Sequence, residues 1–207
     1  MAAARLLPVF PLAGALLFPR GHLPLHIFEP RYRAMVRDAL ATDQLIGMVQ
    51  PRDDAEPPAL YDVGCIGRIA SAEALEDGRF NIVLEGLSRF RIVREAAVDT
   101  LYRQVEADRS GFADGGEAEP LGLAHRAELE QEARRYADAL GYAVEWEKVA
   151  RLDDEMLVNV IAQIAPFDTG SKQALIEAPD VAARCELLVQ FMQFARMLGS
   201  ETEWTLQ

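Results

Sequence analysis

Cysteine is nearly absent from this chain of 207 residues: Cys65 and Cys185 are the only two. Two cysteines cannot build a disulfide scaffold, nor a cysteine-based zinc site by themselves. Their scarcity points to a reducing compartment. Lysine is equally scarce, with Lys148 and Lys172 alone. A phosphate-binding P-loop needs Gly directly before Lys. Glu147 and Ser171 stand there instead, which excludes a Walker-type nucleotide site. His-Glu-x-x-His is missing as well. So are long apolar runs. The longest uncharged stretch, Leu6–Pro19, has 14 residues and three prolines. A membrane-spanning helix needs about 20 apolar residues, so no membrane partner is expected. Arg5 and the run behind it have the outline of a secretion signal. Pro8 and Pro11 break the helix such a signal forms, and a cytoplasmic protein is expected.

What is present is a core-forming composition. Half of the residues are hydrophobic and 26% are charged, which excludes collagen-like and disordered chains. The formal charge of -12 is unevenly spread. Residues 1–110 hold 13 basic and 15 acidic side chains; residues 111–207 hold 8 and 18, a net of -10. The shift falls on Arg109–Pro120, a segment rich in Gly, Asp and Glu that reads as a linker. Two subdomains are therefore expected, 1–110 and 111–207. The acidic second half repels phosphate backbones, which argues against nucleic-acid partners.

The first half predicts strands. Leu6–Leu12 is short, apolar and proline-punctuated, fitting a first or edge strand. Leu23–Phe28 is a second. Pro30 can open a helix over about Arg31–Ala41, with Tyr32, Met35, Val36 and Ala39 at helical spacing. Leu45–Val49 and Tyr61–Ala72 follow as strands, Gly64 and Gly67 marking a bulge or close backbone approach. Asp77-Gly78 signals a type I′ hairpin. Alternation then predicts strands from Phe80, over Arg89–Arg94, and over Tyr102–Ala107. About seven strands and one helix suggest a closed barrel, since open edges invite aggregation. The second half predicts helices. Leu129, Ala133, Tyr136, Ala137 and Leu140 form one stripe, ended by Gly141. Asp153 or Asp154 caps a second helix, stopped by Pro166. Ser171–Glu177 is a helical turn, and Asp180 caps a last long helix. Short connections imply a small antiparallel bundle.

Each candidate for chemistry has a plainer explanation. Gly86-Leu-Ser88-Arg-Phe90 half-matches a nucleophile elbow, but Phe90 replaces its last glycine. His22 and His26 fall on one face of an extended segment without a third ligand, and His125 lies far away in sequence. No metal and no cofactor is expected. Cys65 and Cys185 lack an activating neighbour and read as buried thiols. Arg68, Arg89, Arg91 and Arg94 form a basic strand patch able to hold a phosphate or an acidic peptide. A solvated face paired with Glu73, Glu85 and Glu95 explains it more simply. Asp153, Asp154 and Glu155 sit where a helix dipole favours anions. Ala13–Phe18 is an apolar loop, where loops are usually polar. Leu16, Leu17 and Phe18 are expected to plug one end of the barrel rather than to present a binding surface.

The order of motifs carries a resemblance. Leu7-Pro-Val-Phe-Pro-Leu12, Leu17-Phe-Pro19, Leu23-Pro-Leu25, Phe28-Glu29 and Arg31-Tyr32 resemble the start of the Lon (ATP-dependent protease La) N-terminal domain. Val63–Gly67, Asp77-Gly-Arg79, Leu84-Glu-Gly86 and Arg89–Ile92 fit the same family in order. Lys172-Gln173, Pro179-Asp180 and Arg184 resemble its helical close. The middle, about 110–150, matches little beyond being helical. The resemblance implies a PUA-like β-barrel followed by a helical bundle, hence an α+β chain that engages polypeptides. ATPase and Ser-Lys protease domains follow in the full protease, and the sequence ends at Gln207 without them. A stand-alone, non-catalytic binding or adaptor module is therefore expected, with unfolded or partner polypeptides held on the barrel or in the groove beside the bundle. No catalytic residue carries over, and no binding residue is assigned. A hydrolase whose constellation assembles only in three dimensions is the alternative. An RNA-binding PUA-like protein is a lesser one, opposed by the acidic charge.

Overall fold

A computed structural model describes residues 6–116 and 120–204, with side chains through Leu198. Over these described residues the chain is α+β, with a mixed six-stranded sheet and six helices. It divides into two compact units, residues 1–117 and 118–207.

In the first unit, β1 (Leu7–Pro11) runs parallel to β3 (Leu45–Val49) and antiparallel to β6 (Gln104–Asp108). β4 (Val63–Ala74) pairs with β3 and with the long β5 (Phe80–Glu95), and β2 (His22–Ile27) pairs with β5 alone. The far end of β5 also pairs with β6, so the pairings run β5–β4–β3–β1–β6 and return to β5. Six strands stand where seven were expected, because Phe80–Glu95 is one continuous strand. A register shift between Ile66 and Gly67 of β4, opposite Gly86–Ser88, lets β5 bend without breaking. The hairpin before it is not type I′. Its loop is closed by Leu75 N–H donating to the Arg79 carbonyl and Gly78 N–H donating to the Leu75 carbonyl, both 2.9 Å. Only Gly78 has positive φ, at 78°, whereas type I′ requires it at both central residues. The geometry is a type I turn followed by a left-handed glycine.

The interior is filled by alternate strand residues. Leu7, Val9, Val49, Ile66, Phe90 and Val105 form one cluster. Helix α1 (Pro30–Leu40) begins on Pro30 and buries Tyr32, Met35, Val36 and Ala39. The Tyr32 ring lies 4.2 Å from that of Phe10 in β1. Ahead of β6, the Tyr102 hydroxyl donates to Asp38 Oδ2 of α1 at 2.7 Å. Leu16, Leu17 and Phe18 are fully buried and plug the interior, as the apolar loop predicted.

The second unit is helical: α2 (Leu123–Ala139), α3 (Trp146–Val149), α4 (Asp154–Ile164), α5 (Thr169–Glu177) and α6 (Val181–Trp204). Asp153, Asp168 and Asp180 cap α4, α5 and α6, each accepting a 2.8 Å bond from the N–H three residues on. Gly141, at φ 70°, follows the end of α2. Leu129 of α2, Leu157 of α4, Leu175 of α5 and Leu188 of α6 are each completely buried. Among the described residues of 110–150 the chain is helical over α2 and α3. The short helix α3 lies between the Gly141 stop and the Asp153 cap, where the sequence reading places no element.

Candidate functional site

The strand unit does not assemble the sequence candidates into a reacting centre. Ser88 is buried, and its Oγ has no hydrogen-bond partner to act as a base. His22 and His26 lie on one exposed face of β2, about 13 Å apart by strand rise. His26 has other employment. Its Nδ1 lies 2.8 Å from Asn81 Oδ1, and Arg79 Nη1 approaches its Nε2 at 3.2 Å. A guanidinium only donates, so the ring proton sits on Nδ1 and Nε2 accepts. Asn81 in turn donates to Glu73 at 2.9 Å. Cys65 is buried.

The basic strand patch is not one surface. Arg68 and Arg91 are exposed, facing Glu85 and Asp108 in register. Arg94 pairs with Glu106. Glu95 instead accepts both ends of Arg103, at 2.6 and 2.7 Å, and these bonds hold its carboxyl below the usual range. Arg89 departs most from expectation. It is 3% exposed and grips Asp114 through Nε at 3.0 Å and Nη2 at 2.9 Å. Its own backbone N–H donates to the same carboxylate at 2.6 Å. The Phe112 ring covers its guanidinium at 4.9 Å. Alternation does send Arg89 outward from β5. The 109–116 segment then folds over it, making a buried clip of a residue that reads as solvated.

In the helical unit the acidic run diverges. Asp153 caps α4, while Asp154 accepts from Leu121 N–H at 2.8 Å and from Arg126 at 2.5 Å. The Arg126 bond, aided by that N–H, holds the Asp154 carboxyl below its ordinary value. Cys185 is buried, and its thiol is pushed up to about 11, chiefly by burial and then by the carboxylates of Glu128, Glu186 and Asp154. Such a thiol is almost wholly protonated at neutral pH. His125 offers only its backbone carbonyl to Cys185 Sγ, at 3.8 Å. Among the described residues, no group of three or more His, Cys, Asp or Glu is placed to hold a metal ion, and no helix is long and apolar enough to cross a membrane.

One recess has the character of a binding site. Between α2, the 140–152 segment and α4 lies a partly open chamber of about 360 Å³. Tyr136, Ala137, Leu157, Val160 and Ile161 wall it on the helix side; Tyr142 and Trp146 close it from the other. Its lining is almost wholly apolar, and Tyr142 and Ile164 at its edge are more than half exposed. Sequence reasoning missed it. The available signal was Tyr142, Val144, Trp146 and Val149, apolar residues in a stretch that otherwise reads as loop.

Comparison with known proteins places this architecture. The family model of the ATP-dependent protease La (LON) substrate-binding domain matches residues 6–193, spanning both units. Lon protease 2 of Myxococcus xanthus is 29% identical over 199 residues, covering 93% of this chain and 24% of that protein. Lon protease of Anaeromyxobacter dehalogenans is 28% identical over 198 residues, 92% of this chain and 23% of its own length. The chain thus spans about a quarter of the curated relatives it matches. Among solved structures, the Lon N-terminal domain protein from Xanthomonas campestris superposes with a TM-score of 0.67 at 24% identity, covering 91% of this chain and 99% of that one. The N-terminal domain of Mycobacterium avium complex Lon protease gives 0.67 at 20% identity, covering 91% and 98%. These two likenesses concern the fold. The family match, with the ordered motifs running from Leu7 to Arg184, shows that this chain belongs to the LON substrate-binding domain family.

Proposed function

We propose that this chain is a polypeptide-binding module, a recognition or adaptor unit without catalytic activity of its own. The observation that carries this reading is the substrate-binding domain match over residues 6–193. The apolar chamber of the helical unit supports it, because an apolar recess open to solvent suits exposed hydrophobic side chains of unfolded chains. In this reading the returning circuit of strand pairings is a PUA-like β-barrel over residues 1–110. The helical unit, residues 118–207, is an acidic bundle that keeps nucleic acids away. The two buried cysteines suit a cytoplasmic setting.

The test is fluorescence anisotropy of a labelled, permanently unfolded protein titrated with the full chain at physiological salt. Saturable binding, competed by unlabelled unfolded chains and not by their folded forms, is the expected result. Absence of binding at high concentration removes general unfolded-chain recognition. A pull-down for one specific partner then becomes the next step.

A further inference from the structure

The segment between α2 and α4 is attached unlike the rest of the helical unit. Its start is held by Tyr142 N–H donating to the Ala137 carbonyl at 2.9 Å. Its end is held by Arg126, which donates to the carbonyls of Ala150 at 3.3 Å and Leu152 at 2.9 Å. Between these anchors, among the described residues, the backbone hydrogen bonds stay inside the segment. The Lys148–Glu145 ion pair does too. No residue of α3 is buried. What holds the middle down is apolar contact from Val144, Trp146 and Val149 along the chamber, plus the Arg134 guanidinium 4.5 Å over the Trp146 ring. A stretch fastened at both ends and held centrally by few apolar contacts opens locally before the surrounding helices do.

The chamber beneath selects by chemistry. Its walls offer almost no polar atom, so a phosphate, a sugar or a peptide group would lose its hydrogen bonds on entering. An apolar cavity of about 150 Å³ stays dry and binds benzene. This one, at about 360 Å³, has room for a larger apolar group. Charge narrows the source. The helical unit, residues 118–207, carries 8 basic and 16 acidic side chains, a net of -8, which disfavours anionic amphiphiles such as fatty-acid carboxylates and favours neutral or basic chains.

We propose that residues 143–150 are a hinged lid, and that the chamber under it takes one bulky aromatic or aliphatic side chain from a neutral or basic polypeptide segment. The proposal rests on the polypeptide-binding reading and adds to it the pocket, the ligand group and the moving part.

The experiment uses the full chain carrying Trp204→Phe, which leaves Trp146 as the sole indole. Short Gly/Ser/Lys peptides with one central Phe, Leu, Ala or Glu are titrated against its emission, with laurate as the anionic control. Phe and Leu peptides are expected to bind on the order of tenfold tighter than the Ala peptide. They are also expected to shield Trp146 from iodide quenching as the lid closes. Ala143→Phe fills the chamber from an exposed position on its rim, and Val160→Phe fills it from α4. Both should reduce the Phe and Leu peptides to the Ala level. Unfolded protein that binds these variants as it binds the parent chain would overturn the chamber and leave polypeptide binding standing. Failure of the parent chain to bind any unfolded polypeptide would overturn both. Laurate binding tighter than the Phe peptide would overturn the polypeptide source. Phe-dependent binding with unchanged quenching would overturn the lid.

Discussion

The two units treat apolar space in opposite ways. In the strand unit, the loop before β2 turns inward and Leu16, Leu17 and Phe18 fill the interior to essentially zero exposure. The backbone there is packed so closely that a Cβ on Gly86 would overlap the Phe18 carbonyl oxygen. In the helical unit, the segment after α2 also carries apolar residues, but it spans its cleft without filling it and leaves about 360 Å³ open. An open chamber forfeits dispersion contacts that a filled core would make. Apolar loops are thus not one device. The first completes a core; the second covers a space that a ligand can complete.

Removing the plug should break this contrast most severely. Phe18→Ala empties a fully buried site among side chains that have little room to collapse, and should cost about 3–5 kcal/mol in denaturant unfolding of the strand unit. A loss under about 1 kcal/mol would mean that the interior does not depend on the loop. Next in size is the buried clip. Asp114→Ala leaves the Arg89 guanidinium desolvated without its carboxylate and should cost about 3 kcal/mol. Replacing both partners, Arg89→Met with Asp114→Leu, should restore most of that loss. If the double variant is as unstable as the single one, the 109–116 segment is held by something other than this pair.

How far the sequence revealed these features follows from where each signal lies along the chain. Capping is local: Asp153 and Asp180 were legible because a carboxylate before an apolar-periodic run has one cheap use. The inward turn of Leu16–Phe18 was legible because six apolar residues in a loop demand an explanation. Arg89 was misread because strand alternation says which side a residue leaves, not what later folds over that side. Asp114 is 25 residues away. Phe80–Glu95 was divided in two because the Leu-Ser stretch after Gly86 interrupts the alternation, and only cross-strand register shows the strand continuing. The chamber needs α2, α4 and an irregular segment at once, which no local pattern encodes.

A smaller effect separates the units by pH. Burial first, and then the bond to Asp38, push the Tyr102 hydroxyl up to about 12 from its ordinary value of 10.0. The folded state therefore favours the protonated phenol. That contribution is complete below pH 10 and fades as the pH rises through about 12. Tyr102→Phe should cost about 1 kcal/mol at neutral pH, because the bond it removes ends on an exposed carboxylate. The gap between variant and parent should then narrow across that alkaline window in strand-unit unfolding. A gap that stays constant from pH 9 to beyond 12 would mean that the hydroxyl titrates as it does in the unfolded chain.

The least effect in energy is the sharpest for the comparison. Val160 lines the chamber from α4 and is half-buried, with open volume in front of it. Val160→Phe places a ring in that volume. In a filled core such an enlargement costs about 1–3 kcal/mol through strained rotamers and displaced backbone. Here it should instead stabilise the helical unit by about 0.5–1 kcal/mol, the usual return of filling a cavity. The matched enlargement in the strand unit, Val9→Phe at a position with no exposure, should follow the filled-core rule and destabilise. Urea unfolding of the two variants beside the parent chain reads both signs. Opposite signs mean that the void in the helical unit is real in solution and retained at a cost in stability. Equal destabilisation would mean that the 140–152 segment closes onto α4 in solution and leaves no chamber to fill.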